Sequence, residues 1–438
     1  MKGVVIAGVG SGVGKTSIST GLMALFSEEM HVQGYKIGPD FIDPMYHTMA
    51  TGRQSRNIDT FMMDAGTAKS LVAHSSKGAD LCIVEGVRGL YEGLSGTSEE
   101  CSTAEMAKIL GFPVVLVIDA KSLTRSAAAI INGFKSFDPD VNISGVILNN
   151  VSGRHHEQKL REAIESRCDV EIVGFVPSNK ADKVPQRHLG LKTPSDMDYV
   201  NSMKDLVSSL DKDRLMDMTE SSDADLGSSD LYFRRNISAK VAVPYDEAFC
   251  FYYSENIECL EASGFRVEKF SPLKGDALPE SDMYYLGGGY PELYAGQLSE
   301  NGDFMEGLNA AAEEGKPIMG ECGGLMTMCS FIFWNGERYL MSGIFSGEAT
   351  ESCRHGPKYT NAVSTGKNPL FKGKVRGHEF HYSEIKGYRE DFGFRLDRGL
   401  GINSGNDGLV KGNCLGTYMH QHALSSEDWA QGLTEAIR

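Results

Sequence analysis

The first 195 residues alternate between short apolar runs and stretches with helical spacing. GVVIAGV leads into a helical stretch from Thr16 to Glu29; ADLCIVEGV and PVVLVID follow, the second leading into a helix from Leu123 to Phe137; ISGVILNNV precedes a helix from Gln158 to Arg167, and VEIVGFVP closes the series. Continuous Val/Ile/Leu runs of this length between helices predict the strands of a parallel sheet covered on both faces. Between 196 and about 238 the pattern dissolves. The segment DKDRLMDMTESSDADLGSSD is acidic and rich in Ser, and it predicts a linker, because so little apolar surface does not offset the entropy lost on ordering. A second alternating series then begins: AKVAVPYD, a helix from Phe251 to Ala262, FRVEKF, SDMYYLGGG, a helix near Met305 to Glu314, and KPIMGECGG. The expected class is α/β, with domains at 1–195 and 239–438 joined by an acidic linker at 196–238.

Composition narrows the functional classes. The 438 residues carry 43 Lys and Arg against 59 Asp and Glu, a formal net charge of −16, which argues against a nucleic-acid coat or a polybasic membrane binder. Ten acidic and three basic residues fall within 196–230, so nearly half of the excess belongs to the predicted linker and leaves the rest free to meet an anionic small molecule. No apolar run reaches the roughly 20 residues of a membrane-spanning helix, and the N-terminus runs into a glycine loop instead of a cleavage site, so a cytoplasmic protein is expected. Nine scattered Cys without a CxxC pair read as reduced thiols. Fifty Gly against 14 Pro predict many backbone positions with positive φ or close approach.

One such position set follows the first strand. Gly8-Val9-Gly10-Ser11-Gly12-Val13-Gly14-Lys15-Thr16 stands between a strand and a helix, the context a phosphate-binding loop requires. Backbone N–H groups and the helix N-terminus would cradle phosphate, Lys15 would neutralise it, and the Thr16 hydroxyl would ligate Mg²⁺. The spacing departs from GxxxxGK[ST]: position 9 is Val and the outer glycine is Gly8. Two further segments are expected nearby. Lys36-Ile37-Gly38-Pro39-Asp40-Phe41-Ile42-Asp43-Pro44 brings one cation and two carboxylates, and Glu85 ends an apolar strand where a carboxylate suits Mg²⁺. The competing reading of Asp40 and Asp43 is turn and capping chemistry around proline.

The second motif is Gly320-Glu321-Cys322-Gly323-Gly324 at the end of a strand, the pattern of a nucleophile elbow whose helix N-terminus is expected to lower the thiol pKa. Cys322 would attack a carbonyl, with backbone N–H groups of Gly323 and of Gly289 in the LGGGY segment stabilising the oxyanion. The base is expected in GTYMHQH. His378-Glu379-Phe380-His381 is one residue short of HExxH and alternates like a strand, which argues against zinc there, and at His420/His422 general-base chemistry is preferred to zinc.

As a set, these residues resemble the cobyrinate a,c-diamide synthase family, which includes Ni-sirohydrochlorin a,c-diamide synthases. The resemblance rests on AGVGSGVGKTS, YKIGPDFIDPMYH, NIDTFM, VEGVRGLYEG, GVILNNV, PQRHLGL, AVPYDEAFCFYY, FSPLKG, YYLGGGYPE, GECGGLMTM, RGHEFHYS and GTYMHQH, in order from residue 6 to 422. It implies a P-loop domain similar to dethiobiotin synthetase and a C-terminal domain similar to triad glutamine amidotransferases. ATP would activate a tetrapyrrole carboxylate as an acyl phosphate, which ammonia from glutamine would displace, twice, on the a and c acetates. By the same resemblance Cys322 is the nucleophile and His420 its base; Gly10, Ser11, Gly12, Val13, Gly14, Lys15, Thr16 and Asn149 bind ATP; Thr16, Asp40 and Glu85 hold Mg²⁺; and Lys36, Asp40, Asp43, Arg88, Arg187 and His188 face the substrate. The partners implied are small molecules, with a homodimer as an admissible assembly. One departure is visible: many triad glutaminases carry Glu two residues after the catalytic His, and this chain has His422. Two other readings stay open, a related corrinoid amidotransferase acting on other side chains and a P-loop switch with a non-catalytic amidotransferase-like module. So does the choice among cobyrinate, hydrogenobyrinate and Ni-sirohydrochlorin.

Overall fold

The computed structural model describes residues 1–178, 197–219, 226, 230–235, 237–352, 358–426 and 429–438. They form two compact units, Met1–Leu231 and Tyr232–Arg438.

In the first unit seven strands, β1 (Gly3–Gly8), β2 (Val32–Ile37), β3 (Arg56–Ile58), β4 (Leu81–Glu85), β5 (Val114–Asp119), β6 (Ile143–Val151) and β7 (Glu171–Pro177), alternate with helices α1 (Lys15–Phe26), α2 (Ile42–Thr51), α3 (Ala65–Ser75), α4 (Thr103–Leu110), α5 (Arg125–Phe137) and α6 (Arg154–Glu165). The strands pair in the order β3-β2-β4-β1-β5-β6-β7, and each pairing is parallel. Every residue of β1, β2 and β4 is buried, as a parallel sheet covered by helices on both faces demands. Register then decides the chemistry. Glu85 lies opposite Ile6 of β1 on one side and Lys36 of β2 on the other, so the ends of three adjacent strands deliver a carboxylate, an ammonium and the phosphate loop to one place.

The stretch expected to be a linker contains two helices, α7 (Met197–Val207) and α8 (Lys212–Met218). Val200, Met203 and Val207 are three and four residues apart and all buried, a helical stripe that the high local charge masked. Val207, Leu210 and Leu215 share a core with Ile18, Leu22 and Phe26 of α1. The charges stay outside, with Lys204 on Glu28 and Lys212 on Glu29, each at 2.7 Å. At Gly21 in α1 an added Cβ would lie 2.3 Å from the Met203 carbonyl oxygen, so glycine is what lets α7 approach this close.

The second unit begins as expected with β8 (Ala239–Pro244), α9 (Ser254–Ala262), β9 (Phe265–Phe270), β10 (Met283–Leu286), α10 (Ala295–Glu300), α11 (Gly302–Glu313), β11 (Ile318–Glu321) and α12 (Gly323–Met328). Ten more short strands follow: β12 (Phe331–Trp334), β13 (Glu337–Leu340), β14 (Glu348–Glu351), β15 (Lys358–Ser364), β16 (Lys374–Glu379), β17 (Ser383–Lys386), β18 (Asp391–Arg398), β19 (Asn406–Lys411), β20 (Cys414–Thr417) and β21 (His420–Gln421), then α13 (Trp429–Ala436). The larger sheet runs β21-β16-β15-β18-β19-β20-β11-β10-β8-β9 and a smaller one β13-β12-β14-β17. β20 returns parallel to β11, with Thr417 opposite Glu321. That pairing carries the GTYMHQH segment back to the end of the strand that bears Cys322.

Candidate functional sites

The phosphate loop is closed by its own chain. Gly12 and Gly14 take φ of 78° and 101°, left-handed values that favour glycine. The Lys15 ammonium arches over the loop and donates to the Gly10 carbonyl at 2.9 Å. Burial, reinforced by neighbouring Lys36, lowers its pKa to about 8. Asn149, at the end of β6, donates to the Val13 carbonyl at 2.9 Å, and a Cβ at Gly14 would sit 2.3 Å from its Nδ2. Asn149 therefore buttresses the loop from β6, beyond β5 in the sheet. The segment after β4 is tied down as well, by Gly86 N–H to Ile6 O at 3.0 Å and Leu90 N–H to Gly8 O at 2.9 Å. These anchors leave Arg88 exposed, with a left-handed φ of 49°.

Beside the loop lies a dense acid–base cluster. The Thr16 hydroxyl donates to Glu85 Oε1 at 2.7 Å and approaches Asp43 Oδ2 at 3.4 Å. Lys36 Nζ donates to Glu85 Oε1 at 2.8 Å and reaches Asp43 Oδ2 at 2.7 Å. The other Glu85 oxygen lies 2.7 Å from His47 Nε2. Burial and Asp43 push the Glu85 carboxyl up, but Lys36 and His47 outweigh them and hold it below its ordinary value. Asp40 accepts the Ile42 N–H at 2.7 Å, and burial together with Asp43 raises it to about 7. The set is hard oxygen donors next to a phosphate loop, which fits Mg²⁺. The contacts join Thr16 to Glu85 and Asp43, whereas Asp40 stabilises the turn that opens α2. Lys36 is buried in ion pairs with the acidic residues. His47 escaped sequence reading, since a lone His on a helix gives no signal until the fold sets it against Glu85. Arg187 and His188 lie outside the described residues.

In the second unit, Cys322 takes φ 49°, ψ −98° at the start of α12, a strained conformation typical of an elbow. The flanking glycines explain the turn: a Cβ on Gly324 would lie 2.3 Å from the Leu286 oxygen, and one on Gly320 2.4 Å from Met328 Sδ. The Cys322 N–H donates to Thr417 O at 2.7 Å. The Gly287–Gly289 loop wedges between elbow and base. A Cβ on Gly323 would sit 3.1 Å from the Gly289 nitrogen, and one on Gly288 would sit 2.3 Å from His420 Cε1. The two expected oxyanion donors are therefore neighbours, and the His420 ring packs against the same loop.

Electrostatics differ from expectation at the thiol. Burial and the nearby Glu292 push Cys322 well above the usual thiol range; the six-residue α12 does not offset desolvation. Burial, with His381 adding, lowers His420 to about 3. Burial thus favours the neutral form of both groups, thiol at Cys322 and imidazole at His420. His422 takes no acid's role: its Nδ1 accepts the Leu424 N–H at 3.2 Å and its Nε2 lies 3.5 Å from Glu255. His378 lies on β16, stacked on His420 with ring centroids 5.0 Å apart and bonded through Nδ1 to the Tyr253 hydroxyl at 3.0 Å. Glu379 accepts the Gly401 N–H at 2.8 Å, capping a loop.

One family of known domains matches within each unit. Residues 4–191 match a CobQ/CobB/MinD/ParA nucleotide binding domain and residues 240–428 a CobB/CobQ-like glutamine amidotransferase domain. The chain is thus a nucleotide-binding glutamine amidotransferase. Proteins named cobyrinate a,c-diamide synthase from Methanosphaera stadtmanae and Methanocaldococcus jannaschii are 39% and 42% identical to it, covering 100% and 99% of this chain and 99% and 98% of their own. The chain belongs to the cobyrinate a,c-diamide synthase family, glutamine-dependent ligases that form amides. Among the described residues no helix is long and apolar enough to cross a membrane.

Proposed function

We propose that this protein amidates the a and c acetate carboxylates of a tetrapyrrole, with cobyrinate as the substrate its relatives' names favour and Ni-sirohydrochlorin as the alternative, drawing energy from ATP and nitrogen from glutamine. The observation that carries this reading is that one chain holds both the Thr16–Glu85 cluster at a phosphate loop and a Cys322 elbow, with the Gly288–Gly289 loop against both the elbow and His420.

A carboxylate resists attack because its leaving group would be oxide. Transfer of the γ-phosphoryl group of ATP to a carboxylate oxygen gives an acyl phosphate and ADP, and ammonia then displaces phosphate to leave the amide. Loop N–H groups and Lys15 hold the phosphates and take up charge as it shifts. Thr16, Glu85 and Asp43 would hold Mg²⁺, which when bound screens the charge between the phosphates. Lys36 and His47 keep Glu85 ionised and oriented. Exposed Arg88, beside the loop, is placed to meet substrate carboxylates.

In the second unit His420 takes the Cys322 proton as sulfur attacks the glutamine amide carbon, and the Gly289 and Gly323 N–H groups receive the oxyanion. His420 returns the proton to the departing amine, leaving a γ-glutamyl thioester. Water, activated by the same imidazole, releases glutamate and restores the thiol. Incubating the full chain with ATP, Mg²⁺ and glutamine over cobyrinate and, separately, Ni-sirohydrochlorin, and weighing the products, tests the proposal. Two acid-to-amide changes on one of them are expected; no mass change on either refutes it.

A further inference from the structure

With His at 422, the acid that orients the base in many triad glutaminases has no counterpart in the expected place. The main chain around His420 is held in an unusual way. β21 is two residues long and pairs with β16 alone, through Gly377 opposite Gln421 and His378 opposite His420. Its other main-chain groups are bound by side chains. Asp407 accepts the Tyr418 and Met419 N–H groups, each at 3.0 Å. Glu321 Oε1 accepts the Gln421 N–H at 3.0 Å. Asn256 donates to the Gln421 carbonyl at 2.8 Å and accepts the Ala423 N–H at 2.7 Å. The Tyr285 hydroxyl joins the last two, accepting from Asn256 Nδ2 and donating to Glu321 Oε2, both at 3.0 Å. Glu321, Asn256, Tyr285 and Asp407 are all at least 99% buried.

We propose that the Asn256–Tyr285–Glu321 network is a positioning device for His420, acting through the main chain that bears it. Glu321 is suited to this because it is bonded to the nucleophile: it precedes Cys322 and grips the residue after His420. One side chain therefore sets the spacing of both reacting groups. A network buried this completely has a single satisfied geometry, and misplacement of about 1 Å in such a pair costs on the order of 100-fold in rate. Glu321, Asn256 and Tyr285 are positioning residues, since they act through His420. The inference rests on the reading of Cys322 and His420 as nucleophile and base.

The test is glutamate release from glutamine by the full chain. Glu321→Met, which keeps the volume and deletes the acceptor, should lower kcat at least about tenfold while the KM for glutamine stays within about twofold; Glu321→Gln, which keeps an acceptor, should stay within about threefold of the parent. Tyr285→Phe removes only the bridging hydroxyl and should lower kcat about fivefold, which keeps the test open if Glu321→Met does not fold. Parent-like kcat in Tyr285→Phe, or in folded Glu321→Met, overturns the proposal, as does a Glu321→Gln enzyme as slow as Glu321→Met. Cys322→Ser separates the layers: if it still releases glutamate, the nucleophile assignment fails, whereas an inactive Cys322→Ser beside a fully active Tyr285→Phe removes the network alone.

Discussion

Thr16 donates its hydroxyl to Glu85 at 2.7 Å, joining the first residue pair of the phosphate-loop helix to the end of a strand 69 residues later. The contact makes Glu85 the hinge of the nucleotide site, because Lys36 and His47 bind the same carboxylate. Glu85→Gln keeps the shape and removes the charge. Amide formation should fall about 100-fold with either glutamine or ammonium as nitrogen source, while glutamate release from glutamine persists. Parent-like synthesis would show that Glu85 is merely structural.

Among the described residues the Lys15 ammonium donates to its own loop, at Gly10. Lys15→Ala should eliminate ATP-dependent product with both nitrogen sources, since the loop N–H groups would be left without the full positive charge that takes up the shift on the phosphates. Substantial remaining synthesis would refute the phosphate-loop role.

Cys322→Ser should behave in the opposite way. Glutamine-dependent amidation should disappear and synthesis with high ammonium should remain, because ammonia added directly bypasses the thioester. Loss of both activities would refute the division of labour between the two units.

Gly288 offers a test without touching a reacting group. A Cβ there would approach His420 Cε1 to 2.3 Å, so Gly288→Ala must displace the imidazole or the loop. Glutaminase kcat is expected to drop at least about tenfold with ammonium-dependent synthesis intact.

Buried carboxyls make the second unit sensitive to alkali. Burial raises Glu321 to about 8 and Asp407 and Glu292 to about 7, all above the values of an unfolded chain near 4. The folded state therefore holds more protons between pH 4 and 8, and its stability falls as pH rises through that window. His420, lowered to about 3, acts the other way but only below about 6.5. From pH 6.5 to 8.5 the carboxyls lower stability as pH rises and the thiols held up by burial act in the same direction, so hydrogen exchange of the β11 and β20 amides should accelerate with pH beyond its intrinsic base dependence. A flat protection profile over that range would contradict the assignment.

The strands that end at functional residues were legible because buried parallel strands are continuous apolar runs: β1, β4, β5, β6 and β11 all stand where GVVIAG, LCIVE, VVLVID, ISGVILNNV and IMGE predict them. Of the later strands β16 was signalled by the alternation around His378; β12 to β15 and β17 to β19 were not, since they are short, mixed in polarity and joined by turns such as Gly412 at φ 57° between β19 and β20. Val200, Met203 and Val207 show the opposite failure, a helical stripe present in the sequence but outweighed by the acidic residues between them. At the sites, motif residues were readable and their partners were not. His47, Asn256 and Asp407 are single polar residues whose meaning comes from register and return of the chain, which no local pattern encodes.

The seating of α7 against Gly21 bears on where the nucleotide-binding unit ends. Its genetic boundary cannot be drawn after the last parallel strand. A protein stopped at residue 195 would strip Val207, Leu210 and Leu215 from the core that holds Ile18, Leu22 and Phe26 of the very helix that presents Lys15 and Thr16, and would be a candidate for aggregation before it was a candidate for catalysis. Exchange of this unit between relatives should take the acidic helices with it, as part of the inheritance of the phosphate loop.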